Sequence, residues 1–324
     1  MEATPEGDLS QYVNAPLLQK SSRPLEGQWA FITGATRFNG LGFAAAERLA
    51  LEGASIIIVG TENSRGIAPL VVRRLMAYGV EAHSLVGDVT QEESCREMIA
   101  EAYTIANGNV DILVNNAGTN RNKPITDVTL EDYHYVYDPK ALGALLMSHE
   151  WFNPRIRKNL LGGRVVNIGS PVGSLYGNYG QVPYAMANGA LFGLTQSLAL
   201  EFGTRGVTVN LVAPTFVPGT EMTKDMEAQI PAIKATTPNS ELPTPQDIGG
   251  AVAYLAGSDG GAINSIVLPI DVGMKSNYTA LRPLGRARFR QVSQAGLRIA
   301  GDLTKEEVDV ILEMRRQKEA GQNG

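Results

Sequence analysis

The stretch WAFITGATRFNGLGF, residues 29–43, decides the fold of this chain. A short apolar run from Trp29 to Thr33 leads into a loop with glycines at positions 34, 40 and 42, and a helical pattern begins at Phe43. Glycines let the backbone turn tightly and approach a pyrophosphate, whose charge then lies at the positive end of the helix. A strand, a glycine-rich loop and a helix in this order predict a dinucleotide-binding unit.

Further apolar runs of strand length alternate with helical patterns downstream. They cover Ser55–Val59, Ala82–Val86, Ile112–Asn115, Arg164–Ile168, Thr208–Val212 and Ser265–Ile270. Such runs are typical of strands buried on both faces, and the helical segments between them imply right-handed βαβ crossovers. We therefore predict an α/β fold, a Rossmann-type doubly wound parallel sheet of about seven strands in a three-layer αβα arrangement.

The two ends of the chain depart from this alternation. Residues 1–27 are polar and contain prolines, which predicts an N-terminal arm before a domain spanning residues 28–274. Within residues 275–324, Thr304 and Glu307 have the spacing of a capping box. This last segment predicts a helical extension that covers the core or contacts another subunit, with a substrate lid as the alternative.

Composition excludes several classes of protein. The 324 residues, 44% of them hydrophobic, suffice for one large α/β domain, and the formal charge of -5 argues against a nucleic-acid partner. Cys95 is the single cysteine, and the three histidines lack ligand spacing, so we expect a reducing compartment and no metal. Without a basic leader or an apolar run of ~20 residues, we expect a cytoplasmic protein that does not contact membranes.

Five motifs follow one another along the chain. The glycine loop has the form TGxxxGxG with two extra residues before Gly40, Asp88-Val89 follows the third predicted strand, and NNAG stands at residues 115–118. NIGS, residues 167–170, lies at the end of the fifth predicted strand, and Asn210 with Ala213-Pro214 matches N-x-x-x-P-G except that Thr215 replaces glycine. In this order the motifs resemble those of the classical short-chain dehydrogenase/reductase family, in which the Asp-Val pair contacts the adenine.

The resemblance implies a set of residues that bind a nicotinamide dinucleotide. Carried over position by position, this set is Gly34, Thr36, Arg37, Gly40, Leu41, Gly42, Thr61, Arg65, Asp88, Val89, Asn116, Ala117, Gly118, Tyr184, Asn188, Pro214 and Val217.

The choice between NADP(H) and NAD(H) depends on the tip of the second strand. An acidic side chain there accepts hydrogen bonds from the adenosine ribose, whereas a basic one pairs with a 2′-phosphate. Here the strand ends in Val59-Gly60-Thr61, without the acid, while Arg37 and Arg65 are positioned to hold a phosphate. We therefore predict NADP(H), and Glu62 leaves NAD(H) as the alternative.

The resemblance also implies a catalytic serine after strand five and a catalytic tyrosine on the next helix, which match Ser170 and Tyr184. The family's lysine should follow one helical turn after the tyrosine, but Tyr184-Ala185-Met186-Ala187-Asn188 has asparagine there. Asparagine can bond ribose hydroxyls but carries no charge that favours a phenolate. A tyrosine without a cationic neighbour is a poor base at neutral pH, although it can still donate a proton.

Lys140 stands where the family has an asparagine, on the helix after NNAG. The two residue types are thus exchanged between neighbouring helices, and our hypothesis is that Lys140 directs its ammonium towards Tyr184 or the ribose. The alternative is that Lys140 reaches solvent or pairs with Asp138. The candidate catalytic set is therefore Ser170, Tyr184, Lys140 and Asn188.

These features predict an NADP(H)-dependent oxidoreductase that interconverts a carbonyl and a secondary alcohol on a small organic molecule. Loss of the lysine keeps two alternatives open: a non-redox cyclase, isomerase or dehydratase with a structural cofactor, and a silent NADP(H)-binding protein. The loop charges Arg121 and Lys123 are interpreted as solvated, with attraction of an acidic substrate group as the alternative. The resemblance further implies a homodimer or homotetramer.

Overall fold

The computed structural model describes residues 23–238 and 240–274. Their seven strands form one parallel sheet in the order β3-β2-β1-β4-β5-β6-β7. The strands are β1 (Trp29–Thr33), β2 (Ser55–Gly60), β3 (Ala82–Val86), β4 (Ile112–Asn115), β5 (Arg164–Ile168), β6 (Thr208–Pro214) and β7 (Val267–Ile270). The predicted sheet is confirmed. Strand β7 begins two residues later than predicted because Ser265 has a φ of 65°, a left-handed conformation that a strand cannot contain.

Helices connect successive strands. The α-helices of five or more residues are α1 (Leu41–Leu51), α2 (Ala68–Met76), α3 (Glu92–Ile105), α4 (Leu130–Tyr137), α5 (Gly143–Arg157), α6 (Val182–Phe202), α7 (Ile230–Lys234) and α8 (Pro245–Ala256). Helix α1 begins at Leu41, two residues before the predicted start. A π-helical turn, Asp138–Leu142, joins α4 to α5.

Apolar side chains cover both faces of the sheet. On one face Ile32 of β1 packs in a buried cluster with α1, α2 and α8, and on the other face Phe31 packs in a cluster with α3, α5 and α6. Adjacent strand residues point to opposite faces, so a sheet covered on both sides requires unbroken apolar strands. This is the three-layer arrangement that the sequence predicts.

Strand order also locates the crevice of the fold. Strands β2 and β4 flank β1 on opposite sides. The chain that follows β1 leads to one neighbour and the chain that follows β4 leads away to the other side, so the strand order reverses at the carboxyl end of β1. Ligands of open α/β sheets bind at such a switch point. The glycine loop after β1 and the NNAG segment after β4 both begin there.

Among the described residues, 23–224 and 243–270 form one compact unit, which contains the sheet. Residues 225–238, 240–242 and 271–274 belong to a second unit, where Thr237 Oγ1 donates to the carbonyls of Lys234 and Glu241 at 2.9 Å each. In the described ranges no helix is long and apolar enough to cross a membrane. The predicted extension at 275–324 and most of the predicted arm lie outside the described residues.

Candidate active site

The glycine loop is fastened to the NNAG segment by side-chain hydrogen bonds. Asn116 Nδ2 donates to the carbonyls of Thr33 and Gly34 at 2.9 Å each, and Thr33 Oγ1 accepts from the backbone N–H groups of Asn116 and Ala117 at 3.0 Å. Gly34 has a φ of +65°, and a Cβ on Gly42 would lie 2.7 Å from the Gly34 carbonyl and overlap the Asn116 amide. Asn116, which the resemblance assigns to the cofactor, therefore braces the loop here.

The N-terminus of α1 is suited to an anion. Gly40 is the N-cap, no side chain of the described residues caps it, and the first turn contains no acidic residue. The first N–H groups of a helix lack intrahelical partners and lie at the positive end of its dipole. The loop geometry and this uncapped helix together fit the pyrophosphate of a dinucleotide.

The basic residues predicted to hold a 2′-phosphate differ in their partners. Arg65 binds Glu62 through two hydrogen bonds, at 2.6 and 2.7 Å, on the exposed turn after β2. The Arg37 side chain is 57% exposed, and its Nη1 lies 3.5 Å from Glu221 Oε2, beyond good hydrogen-bond length. Arg37 is thus the more available of the two, and Glu62, the residue that kept NAD(H) open, is engaged by Arg65.

The remaining predicted cofactor residues line the loops around this crevice. Asp88 Oδ1 accepts from the backbone N–H and the hydroxyl of Thr90, at 2.9 and 2.8 Å, which shapes the turn after β3. The side chains of Thr36, Val89 and Val217 are buried, and Pro214 ends β6. Gly40, Leu41, Thr61 and Gly118 lie on the loops and the helix start at the carboxyl ends of β1, β2 and β4.

Ser170 and Tyr184 face each other beyond the carboxyl end of β5. Ser170 lies two residues after the end of β5, and its Oγ accepts from the N–H of Val172 at 3.2 Å, so that the backbone turn fixes the hydroxyl. Tyr184 lies in the first turn of α6 and is 8% exposed. Burial raises the pKa of Tyr184, while hydrogen bonding with the side chains of Ser170 and Asn188 opposes the rise. The phenol is therefore protonated at neutral pH and can act as an acid.

Lys140, in the π-helical turn Asp138–Leu142, extends its side chain towards the end of β5 and Tyr184. Its side chain is buried, and Nζ donates to the carbonyl of Ile168 at 3.0 Å and lies 5.8 Å from the centroid of the Tyr184 ring. The alternative orientations are contradicted, because Lys140 is only 4% exposed and Asp138 instead contacts His134, with Nδ1 3.1 Å from Oδ2. Burial lowers the pKa of Lys140 to about 8.

Asn188 is completely buried on α6. Its Nδ2 donates to the Tyr184 carbonyl at 2.8 Å, and its Oδ1 has no hydrogen-bond partner among the described residues. The structure thus brings the four candidate catalytic residues together. The predicted contact of Asn188 with a ribose stays a prediction, because the side chain has no exposed surface in this structure.

Arg121 and Lys123 are not the solvated charges that we expected. Arg121 Nη1 donates to Asp132 Oδ1 at 2.8 Å and Lys123 Nζ to Asp132 Oδ2 at 2.7 Å, while Asp132 also closes a capping box with Thr129 at the start of α4. These cations hold the pKa of Asp132 well below its usual range, Lys123 having the larger effect. The spacing of Thr129 and Asp132 is a helix-start signal in the sequence that would have found this site.

We expect Asp132→Asn to lower the melting temperature by several degrees at pH 7, because Arg121 and Lys123 lose their shared carboxylate. The pKa of Asp132 is depressed in the fold, so its contribution is present above about pH 4 and is lost as the pH falls through the folded-state pKa. The difference from the unmodified protein should therefore narrow below pH 4 in calorimetric scans. Glu131→Gln, at an exposed neighbour, is the matched control, and an equal loss in both variants would contradict the assignment.

A glycine loop at the switch point of a doubly wound sheet, with a serine and a tyrosine facing each other after β5, defines an NAD(P)-dependent oxidoreductase of short-chain type. Comparison with known proteins agrees. The family model described as enoyl-(acyl carrier protein) reductase matches residues 34–275. The 3-oxoacyl-(acyl-carrier-protein) reductase FabG of Aquifex aeolicus is 35% identical over 253 residues, which cover 77% of this chain and 98% of that protein.

Solved structures give the same result. A blue fluorescent protein from a metagenomic library, in complex with NADPH, is 32% identical with a TM-score of 0.70 over 78% of this chain and 99% of that one. A short-chain dehydrogenase from Burkholderia cenocepacia, in complex with NADP, is 31% identical with a TM-score of 0.71 over the same shares, 78% and 99%. The chain belongs to the short-chain dehydrogenase/reductase family.

Proposed function

We propose that the chain is an NADP(H)-dependent oxidoreductase that interconverts a carbonyl and a secondary alcohol on a small organic molecule. The observation that carries the proposal is the pairing of a buried, protonated Tyr184 with Ser170 beside the crevice of a glycine-loop fold. The similar proteins support it, since one is named as a reductase of a 3-oxoacyl group and two were solved with NADPH or NADP.

In the reducing direction Tyr184 is the proton donor and Ser170 orients the carbonyl oxygen. The cofactor, when bound, supplies the hydride to the carbonyl carbon. The carbonyl π bond breaks while a C–H bond and an O–H bond form, and Tyr184 is left as a phenolate that regains its proton from solvent. A phenol whose pKa is raised by burial remains protonated across the neutral range, which suits this role.

The residues at the crevice fit NADP(H) better than NAD(H). The uncapped N-terminus of α1 suits the pyrophosphate, and the exposed Arg37 guanidinium suits a 2′-phosphate. Glu62, the acid that stands nearest to the family's ribose-binding position, is held by Arg65. Exposed ion pairs are weak, so either arginine is able to exchange its carboxylate for a phosphate.

Arg37→Ala should raise the Kd for NADPH by roughly 10- to 100-fold, because one or two charge-assisted hydrogen bonds to the 2′-phosphate are lost. The Kd for NADH should hardly change, so the preference between the two cofactors narrows. Fluorescence titration with both dinucleotides measures this. Arg73→Ala, which removes an exposed arginine on α2, is the control. Equal weakening for both cofactors would contradict the role of Arg37.

The proposed activity is tested by incubating the protein with NADPH and a panel of ketones, aldehydes and 3-oxo esters. Cofactor absorbance and product are quantified in parallel. Stoichiometric loss of NADPH absorbance with alcohol formation is expected. Product without NADPH oxidation would instead indicate a non-redox enzyme, and tight binding without any product would indicate a silent binding protein. A homodimeric or homotetrameric assembly stays a prediction for the same preparation, testable by light scattering.

A further inference from the structure

Lys140 is an unusual residue for the place it occupies. It packs against Gly118 after β4, with its Nζ 3.2 Å from the position that a Cβ on Gly118 would take, and it donates to the Ile168 carbonyl at the end of β5. No carboxylate of the described residues lies within 4.0 Å of its ammonium. A buried lysine without a counter-ion destabilises a fold, so its presence at the crevice points to a function.

The π-helical turn is what places this ammonium. Pro139 has no N–H to donate, and the N–H of Gly143 donates to the carbonyl of Asp138, five residues earlier. Such a wide turn is frequent at functional sites. In this chain it presents Lys140 to β5 and α6 rather than to solvent, where an ordinary surface lysine would point.

Tyr184 is the titratable group that faces Lys140. Of the residues packed against the ammonium, Gly118 and Ile168 do not titrate. On its own element, Asp138 contacts His134, and Tyr137 stacks on Tyr133 with 4.9 Å between ring centroids. Of these titratable groups, Tyr184 is the one whose ring centroid lies 5.8 Å from the Lys140 ammonium.

We propose that Lys140 is a positioning residue that stabilises the Tyr184 phenolate from the neighbouring helix, in place of a lysine on α6. When Tyr184 gives its proton to the substrate oxygen, one negative charge remains on the phenol oxygen, and the ammonium offsets it until a solvent proton returns. The ammonium lies 5.8 Å from the centroid of the Tyr184 ring. Two unit charges separated by roughly that distance, at an effective dielectric constant near 20, interact strongly enough for a roughly 100-fold effect. This inference rests on the proposed function for its kinetic part alone.

The direct test is a pH titration of the cofactor-free protein by NMR. Tyrosine is labelled with ¹³C at Cζ, and Tyr184→Phe assigns the Tyr184 signal. In the unmodified protein this signal should shift near pH 8, where Lys140 loses its proton, and the step should be absent in Lys140→Met. Lys158→Met is the matched control, because Lys158 lies 5.6 Å from the Tyr103 ring, away from this cluster. That variant should keep both the Tyr184 step and full activity.

The kinetic arm uses the same variants. Lys140→Met should lower kcat roughly 100-fold, and the decline of kcat above about pH 8 should disappear with it. Lys140→Arg, whose charge persists at high pH, should retain most of the rate and extend it to alkaline pH. Lys140→Met removes a buried charge, which stabilises the fold, and loses the hydrogen bond to the Ile168 carbonyl, which opposes that gain. We therefore expect a small net change in melting temperature, and the melting curve establishes that a loss of rate is not a loss of fold.

A Tyr184 signal without a step near pH 8 in the unmodified protein, or the same step in Lys140→Met, would overturn the inference. So would a Lys140→Met enzyme with unchanged rate and pH profile. A protein that oxidises no NADPH with any carbonyl would refute the proposed function, whereas the NMR titration would still decide whether Lys140 acts on Tyr184.

Discussion

Tyr184→Phe should lower kcat for carbonyl reduction by about 1,000-fold, while the Kd for NADPH changes far less. Removal of a positioned general acid costs between about 10² and 10⁴ in rate, and the lost phenol is the group beside Ser170 that we assign as the proton donor. Phenylalanine preserves the ring that packs with Val136 and Val172, so the fold should be retained.

The measurement is steady-state turnover at saturating NADPH, with a fluorescence titration to establish that the cofactor still binds. Tyr254→Phe provides the control, since Tyr254 is a half-exposed tyrosine on α8. Retention of more than a tenth of the original kcat by Tyr184→Phe would show that another group delivers the proton. Loss of NADPH binding in parallel would mean that the substitution disturbs the crevice and not only the chemistry.

Gly42→Ala should have the second largest effect, on cofactor binding and on stability together. The added Cβ would lie 2.7 Å from the Gly34 carbonyl and would displace the Asn116 amide, which breaks the two bonds from Asn116 to Thr33 and Gly34. Loss of these bonds and the resulting strain should cost about 2–3 kcal/mol of unfolding free energy. We expect the melting temperature to fall by roughly 5–10 °C.

The same substitution should raise the Kd for NADPH at least tenfold, because the displaced loop no longer brings its backbone to the pyrophosphate. Gly66→Ala is the matched control, since a Cβ there meets no atom of the described residues within 4 Å. Normal NADPH affinity in a Gly42→Ala protein that melts normally would mean that the loop has another conformation in solution.

Most of the sheet could be predicted from the sequence because β-branched apolar runs such as Ser55–Val59 are buried on both faces, and few other structures accommodate them. The errors in the predicted sheet were confined to strand ends. Ser265 belongs to an apolar run by composition, but its left-handed backbone conformation depends on contacts beyond the run itself. Helix α1 began earlier than predicted because its first turn contains glycine, which has a low helix propensity and gives no helical signal in the sequence.

The candidate site was less predictable than the sheet, because the role of each polar side chain depends on its hydrogen-bond partners in the folded protein. Arg65 and Glu62 were considered as rival ligands for the cofactor, whereas the structure pairs them with each other. Asn116 was assigned to the cofactor, and its side chain also holds the glycine loop, a contact that the sequence did not indicate. Its contact with the cofactor stays a prediction. The orientation of Lys140 depends on a π-helical turn, and a sequence does not specify where a helix widens or which rotamer a lysine adopts.

Deuterium transfer tests the central claim most directly. The protein is incubated with NADPH that carries deuterium at both C4 positions of the nicotinamide and with a ketone from the panel that is turned over. The alcohol is then analysed by mass spectrometry and NMR. A hydride-transferring oxidoreductase predicts one deuterium on the carbinol carbon for each NADPH oxidised. Product without deuterium, or turnover that leaves the labelled cofactor unchanged, would contradict the account.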